Sequence, residues 1–147
     1  MKTVIVDIDG TISDGRPRLH FVRPPPGERR DNEAFHSRCG EDKPIESVIA
    51  LVRSLADNGN QIALMTGRPN TYRDQTQDWL DDNVVPYDYL IMKSVEDVNM
   101  PAPEYKLREL RALQAKGHEI LFAIEDQANV VAMWRANGIH CLQTQAV

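Results

Sequence analysis

The sequence predicts an α/β fold, a Rossmann-like parallel sheet of about five strands flanked by helices. Three observations predict it. Apolar runs of strand length alternate with amphipathic segments through all 147 residues. The runs are continuous in hydrophobicity, as strands covered on both faces are. Each closes on polar or charged residues, with glycine and proline marking the joins.

"KTVIVD" is the first strand. The stretch 12–43 contains "RPPPGERRDNEAFHSRCGED", with Pro24, Pro25, Pro26 and Gly27 among charges of both signs, which excludes a core strand or a long helix. Its length marks it as a loop or flap inserted after the first strand. "PIESVIALVRSLADNG" is a helix: Ile45, Val48, Ile49, Val52 and Leu55 recur at helical spacing, Pro44 lies near the start and Gly59 just past the end. "QIALMTGR" is a buried strand that stops at Thr66, Gly67 and Arg68. "TYRDQTQDWLDDN" is a helix with Tyr72, Thr76, Trp79 and Leu80 on one side. "YDYLIMK" is a strand, "PEYKLRELRALQAKG" a helix, "EILFAIED" a strand, "NVVAMWRANG" a helix ended by Gly138, and "IHCLQ" the last strand. The length suits a single domain over 1–147, without a large cap.

A net charge of -5, from 17 Lys+Arg and 22 Asp+Glu, lacks the basic field that holds long nucleic acid, so any such contact is expected to be local. Cys39 and Cys141 show no metal-type spacing and read as free thiols in a reducing compartment. No apolar run approaches the roughly 20 residues that cross a bilayer. A soluble cytoplasmic protein with no membrane partner is expected.

Strand carboxyl ends share one edge of a parallel sheet, and ligands bind there. That edge would carry Asp7 and Asp9, then Thr66, Gly67 and Arg68, then Lys93, then Glu125 and Asp126. Gathered carboxylates repel unless a cation offsets them, and hard oxygen donors suit Mg2+. Arginine and a hydroxyl on the opposite side suit a phosphoryl group. Asp7 then reads as a nucleophile forming an acyl-phosphate. Asp9 reads as the acid that protonates the leaving oxygen and later activates water, a role needing a raised pKa.

"DIDGT", "TGR", the lysine of "EYKLREL" and "IEDQ" resemble the four motifs of the haloacid dehalogenase-like (HAD) phosphohydrolases, in order and over nearly the whole chain. Within that superfamily, "TYRDQTQDWL" and "IEDQANVVAMWRANGIHCLQ" resemble segments of the 3'-phosphatase domain of bacteriophage polynucleotide kinase-phosphatases. The resemblance implies a phosphorylated Asp7, and Asp9 as general acid/base whose backbone carbonyl helps hold Mg2+. It implies Thr66 and Lys106 on the phosphoryl group, Lys106 displacing Lys93, and Asp126 completing the metal site. Glu125 stands where the family pattern has aspartate, so which of Glu125 and Asp126 meets the metal directly stays open. Arg68 is expected on substrate phosphate beside Gly67, with Arg73 a second candidate. An arginine of the first loop, Arg16 or Arg18, is expected near the substrate. Phe35 and His36 either anchor that loop or stack on a base, the first being favoured. Trp79 and Trp134 read as core.

The expected activity is that of a Mg2+-dependent phosphomonoesterase acting on a nucleotide or a nucleic-acid 3'-phosphate end, in a bacterium or a phage-infected host. The alternatives are a 5'-nucleotidase and a nucleotide- or phosphate-binding module without turnover. No "GxxxxGK[ST]" occurs, so no kinase half is expected in this chain. Protein partners are not specified by the residues, a homodimer being one option.

Overall fold

The computed structural model describes residues 2–145. Strand β1 (Lys2–Val6) lies at the centre of a five-stranded sheet and is followed by a two-residue strand, β2 (Ser13–Asp14). The 12–43 stretch then holds a 3-10 turn at Arg16–Phe21 and one short helix, α1 (Asn32–Ser37), which the proline run had hidden. Asp31 caps α1 by accepting from the Ala34 amide at 2.9 Å. Strand β3 (Lys43–Pro44) returns antiparallel to β2, so the insertion leaves and re-enters at one place.

Beyond it come α2 (Glu46–Asp57), β4 (Gln61–Pro69), α3 (Arg73–Asp82), β5 (Tyr89–Lys93), α4 (Ala102–Ala115), β6 (Glu119–Glu125), α5 (Ala128–Ala136) and β7 (Cys141–Gln143). All neighbouring strands of the main sheet are parallel, in the order β5-β4-β1-β6-β7. The chain leaves β1 toward β4 and leaves β6 toward β7. The topological switch therefore falls between β1 and β6.

Alternate residues of each strand feed opposite layers. Val4, Val6, Ile62 and Leu64 pack with Ile49 and Val52 of α2 and Trp79 and Leu80 of α3. Ile5, Ala63, Met65 and Ala123 pack with Leu110 and Leu113 of α4 and Val130, Val131 and Trp134 of α5. Both tryptophans belong to these layers. Cys39 and Cys141 are buried free thiols.

One strand boundary differs from the sequence reading. β4 does not stop at Thr66; its pairing with β5 breaks after Met65 and resumes at Pro69 opposite Lys93. Thr66, Gly67 and Arg68 thus occupy an irregular stretch inside the strand, where a ladder break can turn side chains out of strict alternation. No helix among the described residues is long and apolar enough to cross a membrane.

Candidate active site

Asp7 follows β1 and keeps one ladder bond, its amide donating to the Ile124 carbonyl at 3.0 Å. The chain then folds back, the amides of Thr11, Ile12 and Ser13 all donating to the Ile8 carbonyl. Gly10, at φ +82°, makes this turn in a conformation that favours glycine. The turn brings the Thr11 hydroxyl to Asp7, where it donates to Oδ2 at 3.0 Å.

Lys106 reaches this point from α4. Its Nζ donates to Asp7 Oδ1 at 2.8 Å and to Glu125 Oε1 at 2.7 Å, with 4% of its side chain exposed. Burial opposes its charge, but Asp7 and Glu125 outweigh burial and raise its pKa. Glu125 Oε2 accepts the amides of Asp126 and Gln127 at 3.1 and 3.3 Å, fixing the start of the segment that leads into α5. Oxygens of Asp7, Glu125 and Asp126 lie within 4.8 Å of one another at the switch between β1 and β6. One ammonium stands against three buried carboxylates. Burial, with the charge of Asp7 added, raises the pKa of both Glu125 and Asp126. The donor set therefore fits a small, hard divalent cation: all oxygen, anionic, and short of positive charge.

The Asp9 side chain leaves this cluster. Arg68 Nε lies 3.2 and 3.1 Å from its two oxygens and Nη2 lies 2.8 Å from Oδ1. Arg18 Nη2 lies 2.8 Å from the same Oδ1. Burial alone would raise the pKa of Asp9, but the two guanidinium groups overcome it and hold the carboxyl well below the usual carboxylate range. This corrects the expectation of a raised pKa. The sequence shows an acid after a strand; it does not show that arginines from 9 and 59 residues away close on it.

Arg18 is itself held. Its Nε and Nη2 donate to Asp42 at 2.7 and 2.5 Å, its Nη1 donates to the Phe35 carbonyl at 2.8 Å, and its guanidinium lies 4.4 Å from the Phe35 ring centroid. Asp42 is fixed in turn, its carbonyl accepting from Trp79 Nε1 at 2.8 Å. A Cβ at Gly15 would sit 3.1 Å from Arg18 Nη2, so any other residue there would press on the held guanidinium. Gly15 and Asp42 were not identified from sequence; their signal is a contact across the insertion, which no local pattern carries.

The other expected residues divide. Thr66 is fully buried, its hydroxyl accepting the Arg68 amide at 3.1 Å. Arg68 has no exposed surface and also meets Thr76 and Ser13, so it is turned toward Asp9 and not outward to a phosphate. Arg16 is 64% exposed and paired with Asp14; it does not join the site, whereas Arg18 does. Arg73 binds Asn70 and the Leu90 carbonyl, which ties α3 to β5. Lys93 is buried and donates to the Met100 carbonyl at 2.6 Å, away from Asp7. A cavity of about 520 Å³ opens above Asp9 and Asp126, with Leu19, Arg23 and Phe35 of the insertion opposite Gln127 and Asn129.

A family model described as the polynucleotide kinase PNKP phosphatase domain matches residues 1–146. A chain of the Pnkp1/Rnl/Hen1 complex is 27% identical, with a TM-score of 0.79. That similarity covers 99% of this chain and 45% of the other, so this chain spans under half of its relative's length. The class C acid phosphatase of Bacillus anthracis is 14% identical at a TM-score of 0.70, over 98% of this chain and 66% of that one. A HAD family enzyme of Bacteroides thetaiotaomicron, in complex with magnesium and inorganic phosphate, is 12% identical at a TM-score of 0.60, over 99% and 95%. At such identities the last two establish the fold.

Proposed function

The chain belongs to the family of polynucleotide kinase PNKP phosphatase domains and is a phosphatase of HAD type, and on that premise we propose that it is a Mg2+-dependent 3'-phosphatase working through an aspartyl-phosphate on Asp7. One observation carries the reading: two carboxylates separated by a single residue, Asp7 and Asp9, are wired to different partners. Asp7 faces Lys106 and the acidic cluster; Asp9 faces two arginines. Such a division suits one nucleophile and one proton carrier.

Asp7, Glu125 and Asp126 would hold Mg2+, whose chemistry is to neutralise charge on the transferring phosphoryl group. An Asp7 oxygen attacks phosphorus as the bond to the leaving oxygen breaks, and the leaving oxygen takes a proton from Asp9. Water then attacks the phosphorus of the acyl-phosphate, gives a proton to Asp9, and Asp7 is released with inorganic phosphate. The ionised Asp9 of the free protein is the form this second step needs. For the first step Asp9 takes up a proton from solvent as the phosphomonoester dianion binds, the like charge beside it raising its pKa. Lys106 and the Thr66 hydroxyl are assigned to the phosphoryl oxygens.

Similarity to a chain of the Pnkp1/Rnl/Hen1 RNA repair complex supports a nucleic-acid end as substrate. The test is phosphate release from a 3'-phosphorylated oligonucleotide, a 3'-nucleoside monophosphate and a 5'-nucleoside monophosphate, with Mg2+ and with chelator. The 3' substrates are expected to be preferred, only with Mg2+, and Asp7→Asn to abolish release without lowering the melting temperature. Preference for the 5' monophosphate would make the protein a 5'-nucleotidase.

A further inference from the structure

Helix α1 divides the catalytic edge in two. Phe35 lines the cleft above Asp9 and Asp126, while its neighbour His36 lines a second cleft of about 480 Å³ over the ends of β4 and β5. Gly67, Lys93 and Tyr72 line this second cleft with His36, and Arg30 stands at its exposed rim.

Two groups here lack the partners that burial normally demands. Lys93 is only 7% exposed; it donates to one carbonyl and lies 5.5 Å from the Tyr105 ring centroid, yet it forms no ion pair among the described residues. Its neighbouring acid, Asp97, is already engaged by Arg108 at 2.6 Å and by Ser94 at 2.9 Å. His36 Nδ1 is buried without any hydrogen-bond partner. Burial lowers the pKa of Lys93 despite Asp97. At the rim, the exposed Glu33 offsets Arg30 in sign, which leaves the lysine as the uncompensated charge.

The cleft adjoins the catalytic turn. A Cβ at Gly67 would come 4.0 Å from Lys93 Cε, so the lysine stem runs against the backbone that carries Thr66.

We propose that this second cleft is a subsite for a phosphate-type oxyanion, with Lys93 as its charge and His36 Nδ1–H as a donor. The anion is either the phosphodiester next to the scissile 3'-phosphate or the phosphate released by turnover. The inference rests on the 3'-phosphatase reading and adds a second anion to it. A compact ammonium is a point-charge phosphate ligand, and an oxyanion supplies both missing partners at once.

The experiment compares wild type with Lys93→Met, which keeps the buried stem, and with Arg30→Ala, which alters only the rim. Three quantities are read: kcat/KM on a 3'-phosphorylated trinucleotide relative to a 3'-nucleoside monophosphate, the inhibition constant of inorganic phosphate, and calorimetric binding of the 3'-hydroxyl trinucleotide. If the occupant is the phosphodiester, Lys93→Met lowers the kcat/KM ratio and weakens trinucleotide binding about tenfold, and Arg30→Ala about threefold. If it is released phosphate, the inhibition constant rises about tenfold while the ratio holds. All three quantities unchanged within about twofold in both folded variants would overturn the subsite. Should Lys93→Met fail to fold, Lys93→Gln, which keeps an N–H for the Met100 carbonyl while removing the charge, is read in the same three ways, and no change in any of them overturns the subsite equally. A wild type with no turnover overturns the 3'-phosphatase reading instead, and calorimetry then still decides the cleft.

Discussion

Arg68 grips both carboxylate oxygens of Asp9 from a guanidinium with no exposed surface. Each of its three nitrogens donates to Asp9, Thr76 or Ser13. Such a residue positions another side chain. Arg68→Lys keeps the charge and loses the planar fork. It is expected to lower kcat on the order of 100-fold with KM changed less than about threefold. A raised KM at constant kcat, in the same steady-state measurement, would return Arg68 to direct contact with substrate phosphate.

Asp42 holds Arg18 with both oxygens while 2% of its side chain is exposed. Removing one member of a buried ion pair strands the other. Asp42→Ala is expected to cost about 3 kcal/mol in urea unfolding and to reduce turnover through Asp9. A loss under about 1 kcal/mol would show that Asp9 alone suffices to settle Arg18.

In magnesium-free buffer Glu125 and Asp126 bind protons more tightly folded than unfolded, because burial and Asp7 disfavour their charged forms. Their contribution to stability is full below the ordinary carboxylate range and fades as pH climbs through the raised values. Metal and protons compete for the same oxygens. The rise in melting temperature on adding Mg2+ is therefore expected to be larger at pH 8 than at pH 6, and Asp126→Asn to remove most of it. An equal rise at both pH values would place the metal elsewhere.

His36 is pushed down to about 4 by burial, with the cations Arg68, Arg18 and Lys93 adding to the effect and Asp9 opposing it. Unfolded, it takes a proton near pH 6.5. Stability from its neutral form is full above that value and is lost as pH falls toward 4. Between pH 7 and pH 5 the loss is about 2 kcal/mol at most. His36→Phe, which keeps a ring between Phe35 and Tyr72, should lose correspondingly less than wild type in denaturant unfolding at the two pH values. Parallel losses would mean that His36 is protonated in the folded protein at pH 5.

The sheet was legible because buried parallel strands are written as uninterrupted apolar runs, and the acids at their ends mark the ligand-binding edge. Lys106 was not legible by that logic: it sits mid-helix on α4 and reaches the edge by the length of its side chain, and only family resemblance picked it over Lys93. The direction of Arg68 was hidden because the ladder break after Met65 overrides the strand's alternation. The choice between Arg16 and Arg18 turned on partners far along the chain, Asp42 and the Phe35 carbonyl, against a partner two residues away, Asp14. Helix α1 has only six residues and lies between prolines and glycine, too short for periodicity to announce it.

The pairing of Ser13–Asp14 with Lys43–Pro44 bears on how freely the insertion can vary. It ties off 15–42 at its base, so the exposed turns of the insertion can lengthen without moving the sheet while Asp42 stays bonded to Trp79 and Cys39 stays buried. Doubling such a loop costs only about 0.6 kcal/mol of closure entropy. Selectivity on this scaffold can thus be rewritten in those turns, provided the insertion still returns an arginine to Asp9 and a carboxylate to that arginine.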